Sequence, residues 1–422
     1  MSCKIEKSSI TGEIICPANK SYTHRAIFLA SLAGNNSKVE NVLLSADTRA
    51  TIEACRKFGA EIETSNSSII VKNPINLSTK VPEINTENSG TTIRIASGIA
   101  SLFSQEITLT GDASLQKRPM QPLLDALTNI GAHCTSTNGN PPITIKGKIT
   151  GGNVSIPGNF SSQFISSLLI CAPLTDKGIN LTIEGNLVSK PYLDATIATM
   201  RKFGVSVQTS IPYKRYNISP QIYNSATFVV PIDFSSLALL LSAVVLNGKD
   251  VTIKGNIGNL PQGDEVFIDI LEQLGVTIMM DDEQIKIESP EKLRGGKFDL
   301  SNSPDLLPPL SILALKSSTP IEIVNVKHAR LKETDRIAII ARELVKIGIK
   351  IQENEDGLVL ESSEKLVGAK LNSENDHRLF MAFCIAGMFV GDCIITDPES
   401  VNVSYPDFIS EMNRLGAKIH SQ

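Results

Sequence analysis

The chain has 422 residues, 41% hydrophobic and 20% charged, which suits globular packing but is too long for one comfortable core. A formal net charge of −4 and a pI near 5.9 leave no electrostatic footprint for nucleic acid. Aromatic residues make up only 5%, with no Trp, so base-stacking and sugar-stacking platforms are not expected.

The first residues, MSCKIEKSSITGEIICPANK, lack the apolar core of a signal peptide. The most apolar stretch, FSSLALLLSAVVLNG (234–248), falls short of the roughly 20 residues of a membrane span. The seven cysteines form no CxxC pair and share no metal-ligand spacing with the five histidines. They read as small buried hydrophobes in a reducing compartment, and the expectation is a cytoplasmic protein without membrane or nucleic-acid partners.

In chain order, six stretches share one form: TIEACRKFGAEIE, PLLDALTNIGAHC, TIATMRKFGVSVQ, DILEQLGVTIM, ARELVKIGIKIQ and ISEMNRLGAKIH. Each is an amphipathic helix ended by a glycine and followed by an alternating strand, as in 60–72 and 276–288. The glycines (Gly59, Gly131, Gly204, Gly275, Gly348 and Gly416) are 68 to 73 residues apart. A second helix precedes most of them, as in THRAIFLASLAG and GTTIRIASGIASLF. The pattern predicts six α/β units, three on either side of a divide near FVVPIDF (228–234).

Charged and small polar residues gather where these helices begin. NKSYTHR places Lys20, Ser21 and Arg25 at a helix start, whose free N–H groups and dipole favour an anion. ENSGTTIR (87–94) sets Asn88 before Gly90 and Thr91, where the missing side chain of Gly90 lets backbone approach a ligand. In GDASLQKRPMQPLLDAL, Lys117 and Arg118 stand before Pro119, which suits a first helical turn. Ser161, Ser162 and Gln163, and then VSKPY with Ser189 and Tyr192, offer neutral donors.

The second half repeats the theme in SPDLLPPLSILAL, HARLKETDRIAII and NDHRLFMAF. Taken singly, each of these is also an ordinary cap or solvated face, and LKETDR also reads as intrahelical ion pairing. Taken together on a repeated architecture, helix starts aimed at one cleft make an anion trap.

The ordered set NKSYTHR, NSGTTIR, GDASLQKRPM, SSQF, SKPY, PDLLPPL, LKETDRI, DHRLFMAF and SYPDF resembles that of the EPSP synthase family. The resemblance runs from residue 19 to about 408 and is specific as an ordered set. It implies two similar domains, each of three βαβαββ repeats, an inside-out α/β barrel with the active site in the interdomain cleft. The expected division is 19–232 for the shikimate-phosphate side, and 1–18 with 233–422 for the catalytic acid/base and phosphoenolpyruvate side. The crossings near 18 and 232 are the expected hinges of a closure.

The implied reaction joins shikimate 3-phosphate and phosphoenolpyruvate without metal or organic cofactor, in a monomer. The 5-hydroxyl adds to C2 of the enolpyruvyl group while C3 is protonated, and phosphate is then eliminated. The resemblance assigns Lys20, Ser21, Arg25, Ser161, Ser162, Gln163, Ser189, Tyr192, Asp305 and Lys332 to shikimate 3-phosphate. It assigns Lys20, Asn88, Gly90, Thr91, Arg118, Gln163, Arg336, His377 and Arg378 to phosphoenolpyruvate. Lys20, Asp305 as proton acceptor and Glu333 as proton donor are the expected catalytic residues.

Two positions depart from the family pattern: Val403 stands where a Lys is common, and His328 where Asn is common. Two rival readings share the fold. One is a UDP-N-acetylglucosamine enolpyruvyl transferase, although GDASLQKRPM lacks the loop cysteine of that family. The other is a non-catalytic anion-binding protein, although Asp305 and Glu333 are both present.

Overall fold

All six repeat glycines have positive φ, from 83° at Gly204 to 117° at Gly131. This left-handed conformation is nearly free for glycine and costly for other residues, so it ends each amphipathic helix at a defined point. The chain then forms a hairpin rather than the single strand expected over 60–72 and 276–288. Glu61–Thr64 pairs with Ser68–Asn73, and Thr277–Met280 with Gln284–Glu288, both antiparallel. The turns fall at the polar residues between them, Asn66 and Ser67 in one and Asp281 to Glu283 in the other.

The computed structural model describes residues 1–81 and 83–422. Six four-stranded sheets share one strand order. In one, Gly152–Pro157 runs parallel to Ile179–Glu184, which pairs antiparallel with Arg215–Ile218, which in turn pairs with Gln208–Ile211. Each repeat is therefore strand, helix, strand, helix and hairpin, in the mixed α/β pattern expected.

The chain divides into two units. One is Ala18–Pro231 with Leu260–Gln262; the other is Met1–Pro17, Ile232–Asn259 and Gly263–Gln422. Each closes on itself by borrowing strands from its far end. In the Ala18–Pro231 unit, Thr227–Val229 lies parallel to Ser37–Glu40 and completes the sheet of the first repeat. In the other, the N-terminal Ser2–Glu6 sits between Cys393–Thr396 and Lys418–Ser421. The next strand, Ile10–Ile15, runs parallel to Gly248–Lys254.

The two helices of a repeat differ in burial. Phe234–Asn247, apolar on every face apart from three serines and Asn247, is buried at every position and packs with Leu307–Leu313 and His377–Val390. Lys20–Leu32, Gly90–Ala100 and Ser162–Cys171 are the corresponding helices of the other unit. The second helices, such as Ala46–Lys57, bury one face only. Each unit has its own hydrophobic cluster.

Among the described residues, no helix is long and apolar enough to cross a membrane. The seven cysteines are free thiols, all buried except the half-buried Cys134.

Candidate functional site

In the Ala18–Pro231 unit, the heads of the buried helices carry the expected residues. Asn19 caps Lys20–Leu32, its side chain accepting the N–H of Tyr22 at 2.8 Å, so Lys20 is the first helical residue. Lys20 Nζ lies 3.0 Å from Asp47 Oδ2, and His24 Nε2 lies 3.5 Å from the same oxygen. Burial alone would push the Asp47 carboxyl up, but Lys20 and His24 hold it well below the usual range. Burial keeps the His24 imidazole low despite Asp47, so it is neutral near pH 7.

From His24 a hydroxyl chain runs through Thr51 and Thr92 to Ser89, each step 2.6 Å. Ser89 caps the Gly90 helix, so this chain ties the Lys20 and Gly90 helix heads together. Sequence pattern alone gives His24 no role and does not single out Asp47, which looks locally like any first-turn acid.

Arg25 is fully buried among neutral oxygens. Its guanidinium donates to Thr196 Oγ1 at 2.8 Å, Ser21 O at 2.9 Å and Tyr192 O at 3.0 Å, and burial lowers its pKa to about 10. A buried cation with neutral partners is costly unless an anion joins it. Ser21 and Tyr192 are thus joined to Arg25 through their carbonyls. Ser189, which precedes the helix Lys190–Lys202, holds φ +56° and ψ +43°. Its side chain makes no capping bond there. A non-glycine residue in this conformation marks local strain of the kind found at ligand clamps.

A second group forms around Gly90. Arg118 Nη2 donates to Asn88 Oδ1 at 2.8 Å, and Asn88 Nδ2 donates to Asp112 at 2.7 Å. Gln163 joins two helix heads: its Nε2 donates to Thr91 Oγ1 at 2.9 Å and its Oε1 accepts from Arg94 Nη1 at 2.5 Å. Ser161 caps Ser162–Cys171, and Ser162 is buried. Arg94, not among the expected site residues, lies over the Phe164 ring at 5.2 Å.

Pro119 does not occupy the first turn expected of it. The helix begins at Gln121 with Pro122 in that turn, while Leu115–Lys117 forms a short 3-10 turn ahead of Arg118.

In the other unit, a single guanidinium organises the acids. Arg336 is buried, its Nε 2.7 Å from Asp376 Oδ2, its Nη1 2.7 Å from Asp305 Oδ1 and its Nη2 2.9 Å from Glu333 Oε2. These three carboxylates raise its pKa further, outweighing burial. Lys332 Nζ and Arg378 Nη2 each lie 3.6 Å from Asp305, on different oxygens. Asp376 is wholly buried and caps His377–Val390, accepting the N–H of Arg378 at 2.9 Å. His377 is buried beside Arg378 on that helix.

LKETDR is therefore not one intrahelical ladder. The helix starts only at Arg336, Lys332 reaches Asp305, and Asp335 pairs with Arg330 at 2.9 Å. Glu333–Arg336, three residues apart, is a local pair.

His328 sits in the 3-10 turn Lys327–Leu331, and burial with nearby Lys332 lowers it to about 4, so it is neutral at ordinary pH. Val403 ends the 3-10 turn Pro398–Val403. Among the described residues, no cluster of three or more His, Cys, Asp or Glu is arranged to hold a metal.

Solved structures share this two-unit α/β fold. The enolpyruvyl transferase NikO from Streptomyces tendae superposes with a TM-score of 0.79 at 16% identity, covering 99% of this chain and 98% of its own. That match speaks for the fold alone. EPSP synthase from Acinetobacter baumannii superposes with a TM-score of 0.83 at 25% identity, over 100% of both chains. The family model described as EPSP synthase (3-phosphoshikimate 1-carboxyvinyltransferase) matches residues 5–412, and the chain belongs to this family.

Among relatives, the 3-phosphoshikimate 1-carboxyvinyltransferase of Nitrosopumilus maritimus is 81% identical over 100% of both chains. That of Methanosarcina acetivorans is 42% identical over 99% of each.

Proposed function

We propose that the chain transfers the enolpyruvyl group of phosphoenolpyruvate to the 5-hydroxyl of shikimate 3-phosphate, releasing phosphate, in aromatic amino acid biosynthesis. The observation that carries this reading is the meeting of Asp305, from a 3-10 turn, and Glu333, from the loop before the helix Arg336–Leu344, on the buried guanidinium of Arg336. Addition needs one carboxylate to take the hydroxyl proton and another acid to protonate the enol carbon. Two acids held 2.7 Å and 2.9 Å from different nitrogens of one rigid fork have a fixed mutual geometry.

In this reading Asp305 accepts the proton of the 5-hydroxyl and Glu333 delivers one to C3. Ser161, Ser162 and Ser189 take the 3-phosphate with Ser21, and Arg25 supplies buried positive charge behind them. Asn88, Gly90, Thr91, Arg118, Arg336 and Arg378 hold phosphoenolpyruvate, with His377 behind Arg378. Lys20, Gln163, Tyr192 and Lys332 complete the contacts. Lys20, paired with Asp47 before substrate arrives, exchanges that partner for an anion. The carboxylates around Arg336 and Arg378 likewise keep the cations in place until a substrate anion competes for them.

No metal or organic cofactor takes part, and the protein works as a cytoplasmic monomer without nucleic-acid or membrane partners. The test is phosphate release from phosphoenolpyruvate on adding shikimate 3-phosphate, in the presence of a chelator. Release that requires both substrates is expected. Binding of both without release would leave an anion-binding protein, and release driven by UDP-N-acetylglucosamine instead would overturn the substrate.

A further inference from the structure

Lys332, Glu333 and Thr334 belong neither to the 3-10 turn Lys327–Leu331 before them nor to the helix Arg336–Leu344 after them. A stretch without regular structure places a reacting group only as well as its two ends are held. Here both ends meet on Arg330, which lies outside the motif LKETDRI. Its Nη1 donates to both oxygens of Asp335, at 3.0 and 2.9 Å. Asp335 in turn caps the helix, accepting the N–H of Ala338 at 3.0 Å.

The rest of the guanidinium faces a third element. Nη2 donates to Glu353 Oε1 at 2.8 Å and to the Asn354 carbonyl at 2.9 Å, and Nε donates to the Glu355 carbonyl at 3.0 Å. These acceptors form the tip of the hairpin made by Ile349–Asn354 and Gly357–Ser362. The same tip holds the residue before the turn, the Asp356 carbonyl accepting the N–H of Val326 at 2.8 Å. A single exposed ion pair would count for little, but Arg330 is half-buried and makes five bonds from one planar fork.

We propose that Arg330 is a positioning residue for Glu333: it clamps the base of the segment Leu331–Thr334 to the hairpin tip and so sets where Glu333 stands on Arg336. This rests on the functional reading above, in which Glu333 delivers a proton to C3. Asp335 and Arg336 are neighbours at one helix head, so the clamp and the 2.9 Å Glu333–Arg336 pair share an anchor. Without Arg330, Asp376 and Asp305 still hold the Arg336 guanidinium, while the segment ahead of it loses its tie to the hairpin. Misplacing a reacting group by about 1 Å costs up to about 100-fold in rate.

The experiment measures phosphate release with both substrates, and phosphoenolpyruvate binding by calorimetry, for Arg330→Met, Arg330→Lys and Asp335→Asn. Each is made in the wild type and in Glu333→Gln. In the wild-type background, kcat is expected to fall about 30-fold in Arg330→Met, with phosphoenolpyruvate affinity within about three-fold. Arg330→Lys keeps the charge without the fork and should recover only part of that loss. Asp335→Asn still caps the helix but weakens the clamp, and should lose about five-fold in kcat. In Glu333→Gln the same changes should cost less than about two-fold, because no proton donor is left to position.

Losses of equal size in both backgrounds, or unchanged turnover, overturn the inference and leave Arg330 a staple of the fold. Should Arg330→Met not fold, Asp335→Asn decides by the same comparison. Ordinary turnover in Glu333→Gln, or no phosphate release by the wild type, removes the functional reading, and this inference with it.

Discussion

A methyl group on Gly90 would sit 2.8 Å from Nη1 of Arg118 and 3.6 Å from Nη1 of Arg94. The guanidinium of Arg118 therefore occupies the space that a side chain at position 90 would need, with Asn88 holding its other terminal nitrogen. Gly90 does not need a left-handed conformation; its small size is what leaves that space to Arg118.

Gly90→Ala is accordingly expected to fold, because the group in the way is the end of a flexible side chain. Arg118 moves, and its bond to Asn88 is lost or lengthened. Phosphoenolpyruvate, and analogues such as glyphosate, should bind about ten-fold more weakly, or ~1.4 kcal/mol. Shikimate 3-phosphate should be almost unaffected. Parallel calorimetric titrations check this, and equal weakening of all ligands would refute it.

Glu333→Gln keeps the shape of the side chain facing Arg336, which retains Asp376 and Asp305 as partners. Ligand dissociation constants should change little, while turnover falls by about 10²- to 10⁴-fold through loss of a transferable proton. Steady-state rates and binding are measured on the same preparation; ordinary turnover would remove the assigned role.

Arg25→Met replaces a buried cation whose hydrogen-bond partners are neutral by a shorter, flexible apolar chain. Folding stability should change by less than about 1 kcal/mol, since relief of charge burial offsets the lost hydrogen bonds. Shikimate 3-phosphate affinity should fall by about 2 to 3 kcal/mol, the worth of hydrogen bonds to a charged group. Urea unfolding and ligand titration separate the two effects, and a large loss of stability would show a structural role instead.

Asp47→Asn tests the Lys20 pair through pH. The Asp47 carboxyl is held below its unfolded value, so its contribution to stability is full above about pH 4. That contribution is lost as pH falls through the lower folded value. The variant should be less stable by about 3 kcal/mol near pH 7, typical of breaking a buried pair. The gap should close toward pH 2. Denaturant midpoints at pH 3, 5 and 7 measure it, and a constant gap would contradict the pairing.

Much of the architecture is legible in the residues alone. Glycines ending amphipathic helices at a nearly constant interval betray a repeat, since few other residues adopt their backbone conformation. The hairpins are less legible, because a short polar turn hardly interrupts period-two alternation. The basic and hydroxyl residues at helix heads stand out against apolar runs. Their acidic partners do not: Asp47 and Asp376 each look like a cap or a first-turn acid.

By itself, the sequence determined the repeat, the helix starts and the residue types fit for anion chemistry, because these depend on local backbone preference and on periodicity. Only the tertiary structure decided which charge meets which. Lys332 pairs with Asp305 from a separate turn and Arg336 with Asp376, 40 residues away in the chain, while Arg25 has no carboxylate among its hydrogen-bond partners. Charge pairing depends on distance in space and on burial, and neither follows from spacing along the chain.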